Sequence, residues 1–316
     1  MNYFKNLKAI KGDASFRKFF RKRNGKFTSV IVFAKKEKFK NLLVYDSINK
    51  ILNNNKILAP VLYKENYDEN YIEVQDFGND TIFNILCKKK INKFECFKRI
   101  IKTLNQIQLI KNRNIKNFKN KNYKIPIYSR AILLKEADLF SEWYAKEKLP
   151  KNEKKLFNKR FSQITRKLAS NLKLKKNVFV HRDFHVSNLM LINNEIGVID
   201  SQDAVIGNEA YDLASLIDDV RFKTTKSLKN KIYKFYVGKQ TKLDKNKFKN
   251  DFEILSILRN LKIIGIFTRL AKRDGKKNYL KLIPQAWSLI NMRINDNKVF
   301  LELKGLLKQN FKRKLK

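Results

Sequence analysis

The sequence is poor in residues that break or bridge a chain: its 316 residues include two cysteines, four prolines, nine glycines and two histidines. Cys87 and Cys96 are too few for a disulfide framework, which points to a reduced, cytoplasmic setting. So little proline and glycine excludes collagenous and low-complexity chains. Acidic side chains are scarce as well, 29 against 71 lysines and arginines, for a net charge of +42. Long apolar runs are missing too. The longest, Val30-Ile-Val-Phe-Ala34, is far short of a membrane span, and the first residues lack the apolar segment of a secretion signal. What the chain does have is 43% apolar and 12% aromatic residues, enough to bury a core and to exclude a disordered tail.

A charge of +42 suggests a nucleic-acid partner. The lysines, however, run from Lys5 to Lys316 amid abundant Asn, Ile and Phe, all residues of AT-rich codons. They lie between apolar helical positions, as on solvated faces. Base composition is the simpler source of the charge, and only non-specific contact with nucleic acid is expected. The basic crowding at 111–124 and 308–316 carries no recognition motif.

The first eighty residues read as strands with one helix. Asn24-Gly25 between apolar strands at 16–23 and 26–34 predicts a two-residue hairpin turn. Residues 37–54 read as a helix, and 59–63 with 70–77 as a second strand pair. Beyond residue 80 the period changes: Phe94, Phe97, Ile100, Ile101, Leu104 and Ile107 recur at three and four residues, the mark of an amphipathic helix. Helical patterns continue at 129–147, 153–172, 210–222, 227–237 and 248–272, with 112–124 as a loop in the second lobe. The expected organisation is a β-rich lobe over 1–80 and a mainly helical lobe over 81–316, an α+β fold.

One short island stands out, residues 177–200. It holds both histidines, His181 and His185, with Asp183 between them and Asn188 five residues after the aspartate. Two apolar runs, 189–192 and 196–199, flank Asn193-Asn194-Glu195 and predict a hairpin centred on Asn194. In that register Asn188 faces Asp200, and directly opposed residues have Cβ atoms about 4.5 to 5.5 Å apart. An amide oxygen and a carboxylate so placed suit Mg²⁺, which takes few protein oxygens and completes its shell with water and phosphate. Asp183, leaving the strand 178–180, is then placed to accept a proton from a substrate hydroxyl. The alternative, that Asp183 and Asn188 only close Asx turns, leaves Asp200 unexplained. A zinc site from His181 and His185 at i, i+4 would need a helix where the flanks read as strand. His181 is expected to hold the loop backbone, and His185 either to face substrate or to pack. Asp212 opens a helix, where it either caps free amides or steadies the catalytic loop through His181 or Arg182.

The stretches 12–21, 73–81, 136–144, 180–218 and 260–275 resemble the aminoglycoside phosphotransferase and choline kinase superfamily. Within it they resemble the bacterial kinases that phosphorylate the anomeric hydroxyl of N-acetylmuramate or N-acetylglucosamine. Asp200-Ser-Gln-Asp-Ala204, Tyr211-Asp-Leu-Ala-Ser215 and the late Gly-Ile-Phe-Thr-Arg-Leu segment point to that subgroup. The resemblance implies a protein-kinase-like two-lobed fold. It implies ATP between the lobes, with adenine near Gln75, Asp76 and Phe77 and phosphates under a loop that includes Ser15, Phe16 and Arg17. It also implies Asp183 as base and Asn188 and Asp200 as Mg²⁺ ligands. Gln202 and Asp203, with His185, offer donors and acceptors for a sugar. The subgroup usually has Phe where Ser201 stands, an acidic residue where Gln75 stands and a proline-containing turn at Lys35-Lys36. Phe33 occupies the place of a phosphate-pairing lysine, which leaves Arg17, Lys35 or Lys36 to supply the charge. A small-molecule sugar substrate, a monomer and no membrane partner are expected. A choline- or aminoglycoside-like acceptor, or a basic nucleic-acid-associated protein on a kinase-like fold, are the alternatives.

Overall fold

The computed structural model describes residues 7–10, 17–34, 41–88, 91–295 and 297–315. Contacts divide the chain into two compact units, Met1–Pro126 with Val178–Ile206, and Ile127–Asn177 with Gly207–Lys316. This division does not coincide with a boundary at residue 80. The first two helices after residue 80, the segment 112–124 and the island around Asp183 group with the sheet, by contacts between distant stretches of chain that leave no local mark in composition.

The first unit is built on a five-stranded antiparallel sheet in the order β1-β2-β3-β5-β4, from β1 (Lys8–Ile10), β2 (Lys18–Asn24), β3 (Phe27–Phe33), β4 (Leu62–Asn66) and β5 (Tyr71–Gln75). Asn24 pairs with Phe27, so the hairpin loop is Gly25-Lys26, one residue later than predicted. Gly25 has φ +58 and Lys26 is not left-handed, which makes a type II′ loop with glycine first. The helix α1 (Asn41–Asn54) lays Leu42 and Tyr45 on the buried sheet residues Val32, Ala34, Ile72 and Val74. Next come α2 (Ile82–Lys88) and α3 (Lys93–Gln108); Asn92 caps α3 by accepting from the Phe94 and Glu95 amides. The buried face of α3 is the predicted stripe of Phe97, Ile100, Ile101, Leu104 and Ile107.

The segment 112–124 is not a plain loop. It forms a ribbon of β6 (Asn114–Lys116) and β7 (Asn122–Lys124), and its Phe118 amide donates to Asp46 of α1 at 2.8 Å. The island supplies β8 (Asn177–Val180), β9 (Leu189–Ile192) and β10 (Glu195–Val198), followed by β11 (Val205–Asn208).

The second unit is helical. It contains α4 (Arg130–Leu139), which continues through a π-helical stretch, Phe140–Ala145, into α5 (Lys146–Lys148). Then come α6 (Lys151–Ser170), α7 (Tyr211–Ile217), α8 (Lys226–Gly238), α9 (Lys245–Arg273), α10 (Ile283–Ile294) and α11 (Leu301–Asn310). An aromatic cluster of Phe140, Tyr144, Phe157, Phe161, Trp287 and Phe311 fills its core. Gly265 lets α9 cross directly over the start of the π-helical stretch: a Cβ there would stand 2.3 Å from the backbone carbonyl of Leu139. Asp218, fully buried, is held by Arg293 at 2.9 Å, Ser256 at 2.6 Å and Lys229 at 3.2 Å. Burial alone would raise its carboxyl, but Arg293 and Lys229 outweigh that and keep it below the usual range. Burial in turn lowers the Lys229 ammonium although Asp218 opposes it. Cys87 and Cys96 are free thiols. Among the described residues no helix is long and apolar enough to cross a membrane.

Candidate active site

Strand β8 ends at Val180, and backbone hydrogen bonds hold the next residues in a tight loop. The His185 amide donates to the Asp183 carbonyl at 3.0 Å, and the Asn188 amide to the His185 carbonyl at 2.9 Å. Arg182 takes φ +73 at the apex, a left-handed value that a non-glycine residue adopts only when its surroundings enforce it. Buried His181 lies with Nε2 3.1 Å from the Ile199 carbonyl; since a carbonyl only accepts, Nε2 carries the proton. His181 and His185 sit in this loop and not on one helix face, so the zinc geometry is not formed.

The hairpin that follows differs from the predicted register. Glu195 pairs with Ile192 and Val198 with Leu189, so the loop is the two residues Asn193-Asn194, both left-handed at φ +46 and +72. Asparagine tolerates that conformation better than most residues, and two such residues make a type I′ turn that closes the hairpin one residue tighter. A one-residue slip exchanges faces. Asn188 therefore meets Ile199, whose amide donates to its carbonyl at 3.1 Å, and Asp200 lies beyond the ladder at φ +60.

Asp200 is nonetheless tied into the site. Its Oδ1 accepts from Arg17 Nη2 at 2.9 Å and from Gln202 Nε2 at 3.1 Å. Although 39% of its side chain is open to solvent, the protein around it pushes its carboxyl up; Arg17 pulls it down and the nearby Asp183 carboxylate raises it again. That coupling brings Asp183 and Asp200 within electrostatic reach of each other. Asn188 turns its Nδ2 to the Asp183 carbonyl at 3.0 Å, leaving Oδ1 as its acceptor atom. One carboxylate with a free second oxygen and one amide oxygen form a hard donor set that fits Mg²⁺. Among the described residues no cluster of three or more His, Cys, Asp or Glu side chains could hold a metal.

Around this centre Arg182 Nη1 reaches the carbonyl of exposed Asp203 at 3.3 Å, and Gln202 Nε2 also meets Asp203 Oδ2 at 3.1 Å. Gln202 and His185 are buried, and Gln202 Oε1 has no partner. At the sheet's end the Gln75 amide donates to Val61 at 2.8 Å, and Asp76 pairs with Arg21 at 2.5 Å. Burial acts to raise the Asp76 carboxyl, but Arg21 and the Gly78 amide outweigh it and hold it below the usual range. The Phe77 ring packs close to the hairpin at Gly197, where a Cβ would come 2.9 Å from it. Ser15, Phe16, Lys35 and Lys36 lie outside the described residues.

Three residues of α1 escaped the sequence reading. Asn41 accepts from Arg17 Nη1 at 3.2 Å, Tyr45 places its ring 5.9 Å from the Arg17 guanidinium carbon, and Asn49 accepts from Ser201 at 2.7 Å. Their spacing of four puts them on one helix face, and a buried Asn at that period is the signal that could have exposed them. The Ser201 hydroxyl thus has a polar partner in place of the apolar contact a Phe would make.

Residues 6–236 match the phosphotransferase enzyme family (APH). The chain belongs to that family. Its relatives include the N-acetylmuramate/N-acetylglucosamine kinase of Pseudomonas putida, 26% identical over 96% of this chain and 87% of the relative. Another, of the same name, is from Neisseria meningitidis, 27% identical over 86% and 81%. Among solved structures, a choline/ethanolamine kinase family protein from Mesorhizobium loti superposes with TM-score 0.64 at 9% identity, over 98% of this chain and 94% of that one. A spectinomycin phosphotransferase in complex with ADP and spectinomycin superposes with TM-score 0.59 at 15% identity, over 90% and 92%. These likenesses show the fold, and with it the α+β kinase-like class. In this phosphotransferase Asp212 belongs to the second unit, buried in the first turn of α7; the cap position is Ala210, with no side-chain cap.

Proposed function

We propose that the protein transfers the γ-phosphoryl group of ATP to the anomeric hydroxyl of an amino sugar of the N-acetylmuramate or N-acetylglucosamine type. What supports this reading is the loop in which Asn188 reaches the Asp183 carbonyl and Asp200 feels the Asp183 charge, in a chain whose relatives, matched over most of their length, are named as kinases of those sugars. In the proposed reaction the Asp183 carboxylate takes the hydroxyl proton while the sugar oxygen attacks the γ-phosphorus. The bond from that phosphorus to the β–γ bridging oxygen breaks, and ADP leaves. Mg²⁺, held by Asn188 and Asp200, would neutralise charge on the phosphates. Phe77, beside Gly197, and the Gln75 to Asp76 turn suit the adenine side, and Arg17 suits the phosphates; Ser15 and Phe16, expected there too, lie outside the described residues. His185, Gln202 and Asp203 suit the sugar, Gln202 Oε1 being a buried acceptor in want of a donor. His181 and Arg182 are read as supports of the loop. The protein is taken to act as a cytoplasmic monomer in two functional lobes, 1–80 and 81–316, touching nucleic acid only non-specifically.

The test is a panel of amino sugars, neutral sugars, choline and aminoglycosides with ATP and Mg²⁺, scored for ADP release. Turnover highest with the two N-acetyl sugars supports the assignment. Turnover confined to choline or an aminoglycoside would move the acceptor and leave the phosphotransferase class in place.

A further inference from the structure

Arg17 is an unusual cation. Its side chain is 4% exposed, its guanidinium carbon stands 5.9 Å from both the Phe19 and Tyr45 rings, and its two terminal nitrogens go to Asn41 and Asp200. The Tyr45 hydroxyl, pushed up to about 12 by burial, stays neutral and adds no competing charge. A guanidinium desolvated to this degree needs an anion beside it, and Asp200 is the carboxylate that meets it. Asp200 is also the residue read above as the charged metal ligand. A divalent ion and a guanidinium then compete for one carboxylate. When the metal draws the carboxylate charge to itself, the hold of Asp200 on Arg17 weakens and an arriving anion can take its place.

We propose that Arg17 is an exchangeable counter-ion: it neutralises Asp200 in the nucleotide-free protein and passes to the phosphate oxygens of the nucleotide when the metal engages Asp200. The rings of Phe19 and Tyr45 and the Asn41 amide hold the guanidinium in place through the exchange, so only its anionic partner changes. The planar fork of arginine matches phosphate oxygens as well as it does a carboxylate. Arg17 would thereby keep Asp200 from binding metal tightly in the absence of nucleotide and would make metal and nucleotide phosphates bind together. The proposal rests on the reading of Asp200 as metal ligand and of ATP as donor.

The test needs no acceptor sugar. Mn²⁺ serves as a paramagnetic probe for the metal, read by EPR, and ADP and adenosine binding are read by calorimetry in buffer with saturating Mg²⁺, on wild type and R17M. The R17M protein should bind Mn²⁺ without nucleotide about threefold or more tightly. It should bind ADP about tenfold or more weakly, the worth of a lost charged hydrogen bond, with adenosine within about twofold of wild type. If Arg17 is a fixed structural tie, Mn²⁺ affinity and the ratio of ADP to adenosine affinity both stay at wild-type values. Either one unchanged overturns the proposal. Should R17M fail to fold in a thermal melt, R17K carries the same test: it keeps one charge and loses the fork, so tighter Mn²⁺ and weaker ADP are again expected, and wild-type values for either overturn. Failure of wild type to bind ADP at all would instead sink the nucleotide reading itself.

Discussion

Gly265→Ala should destabilise the protein although alanine is the better helix former. In an ordinary helix interior the exchange gains about 1 kcal/mol, because glycine surrenders more backbone freedom on folding. Here the added Cβ would lie 2.3 Å from the carbonyl carbon and oxygen of Leu139 and 2.6 Å from the Phe140 nitrogen. These are backbone atoms and cannot swing aside as a side chain would. Ordinary contact begins near 3.4 Å, so α9 and the α4 junction must separate by roughly 1 Å, against close packing that resists such shifts. Phe140, fully buried in the aromatic cluster, moves with that backbone. Overpacking of this kind costs at least the upper part of the usual range, about 3 kcal/mol. Less the helix gain, the net loss is about 2 kcal/mol, a fall in Tm of about 3 °C for a chain of this size. Thermal and urea unfolding of the two proteins measure it. An unchanged or raised Tm would refute the close crossing of α9 over Leu139.

Asp183→Asn should leave folding and ADP affinity nearly intact and lower kcat by about 10² to 10⁴, the worth of a positioned base, as single-turnover kinetics would read; at least half of wild-type kcat with chemistry rate-limiting would remove Asp183 from that role. Asp218 contributes acid-dependent stability: its folded pKa lies below the unfolded value, so the contribution is complete above about pH 5 and is lost as pH falls through about 4 toward the folded value. Asp218→Asn, which leaves Arg293 and Lys229 without their carboxylate, should cost about 3 to 5 kcal/mol and flatten the dependence of Tm on pH between 5 and 3; a slope equal to that of wild type contradicts it. The +42 charge should give weak, sequence-indifferent binding to DNA and RNA that falls steeply with salt, in an anisotropy series over several duplexes and single strands. Selective binding that survives physiological salt would instead favour a dedicated nucleic-acid surface.

Much of this was legible in the chain because periodicity reports burial. The α3 stripe from Phe97 to Ile107 and the strands either side of Asn193-Asn194 follow directly from it. Turn geometry was harder, since Asn24-Gly25 and Asn193-Asn194 each admit two loop settings one residue apart. At the first, glycine takes the leading position of a II′ loop and each facing partner moves by two, so the faces are kept. At the second, the partner moves by one and the predicted opposition of Asn188 to Asp200 is lost. Arg17 and Gln202 hold the carboxylate of the left-handed Asp200 by contacts that no local pattern encodes. The same holds for Asn41 and Tyr45, which meet Arg17 just before β2, and for Asn49, whose partner Ser201 lies 152 residues away in sequence. The π-helical stretch at Phe140–Ala145 was read as plain helix, since the approach of Gly265 beside it is visible only in three dimensions.

The most direct measurement is phosphorus NMR of the product formed from N-acetylmuramate or N-acetylglucosamine with ATP and Mg²⁺, run beside the methyl glycoside of each sugar. A phosphate on the anomeric oxygen of the free sugars, with the methyl glycosides inert, is the predicted result. Phosphorylation of a methyl glycoside, or of a free sugar at any other hydroxyl, would contradict it.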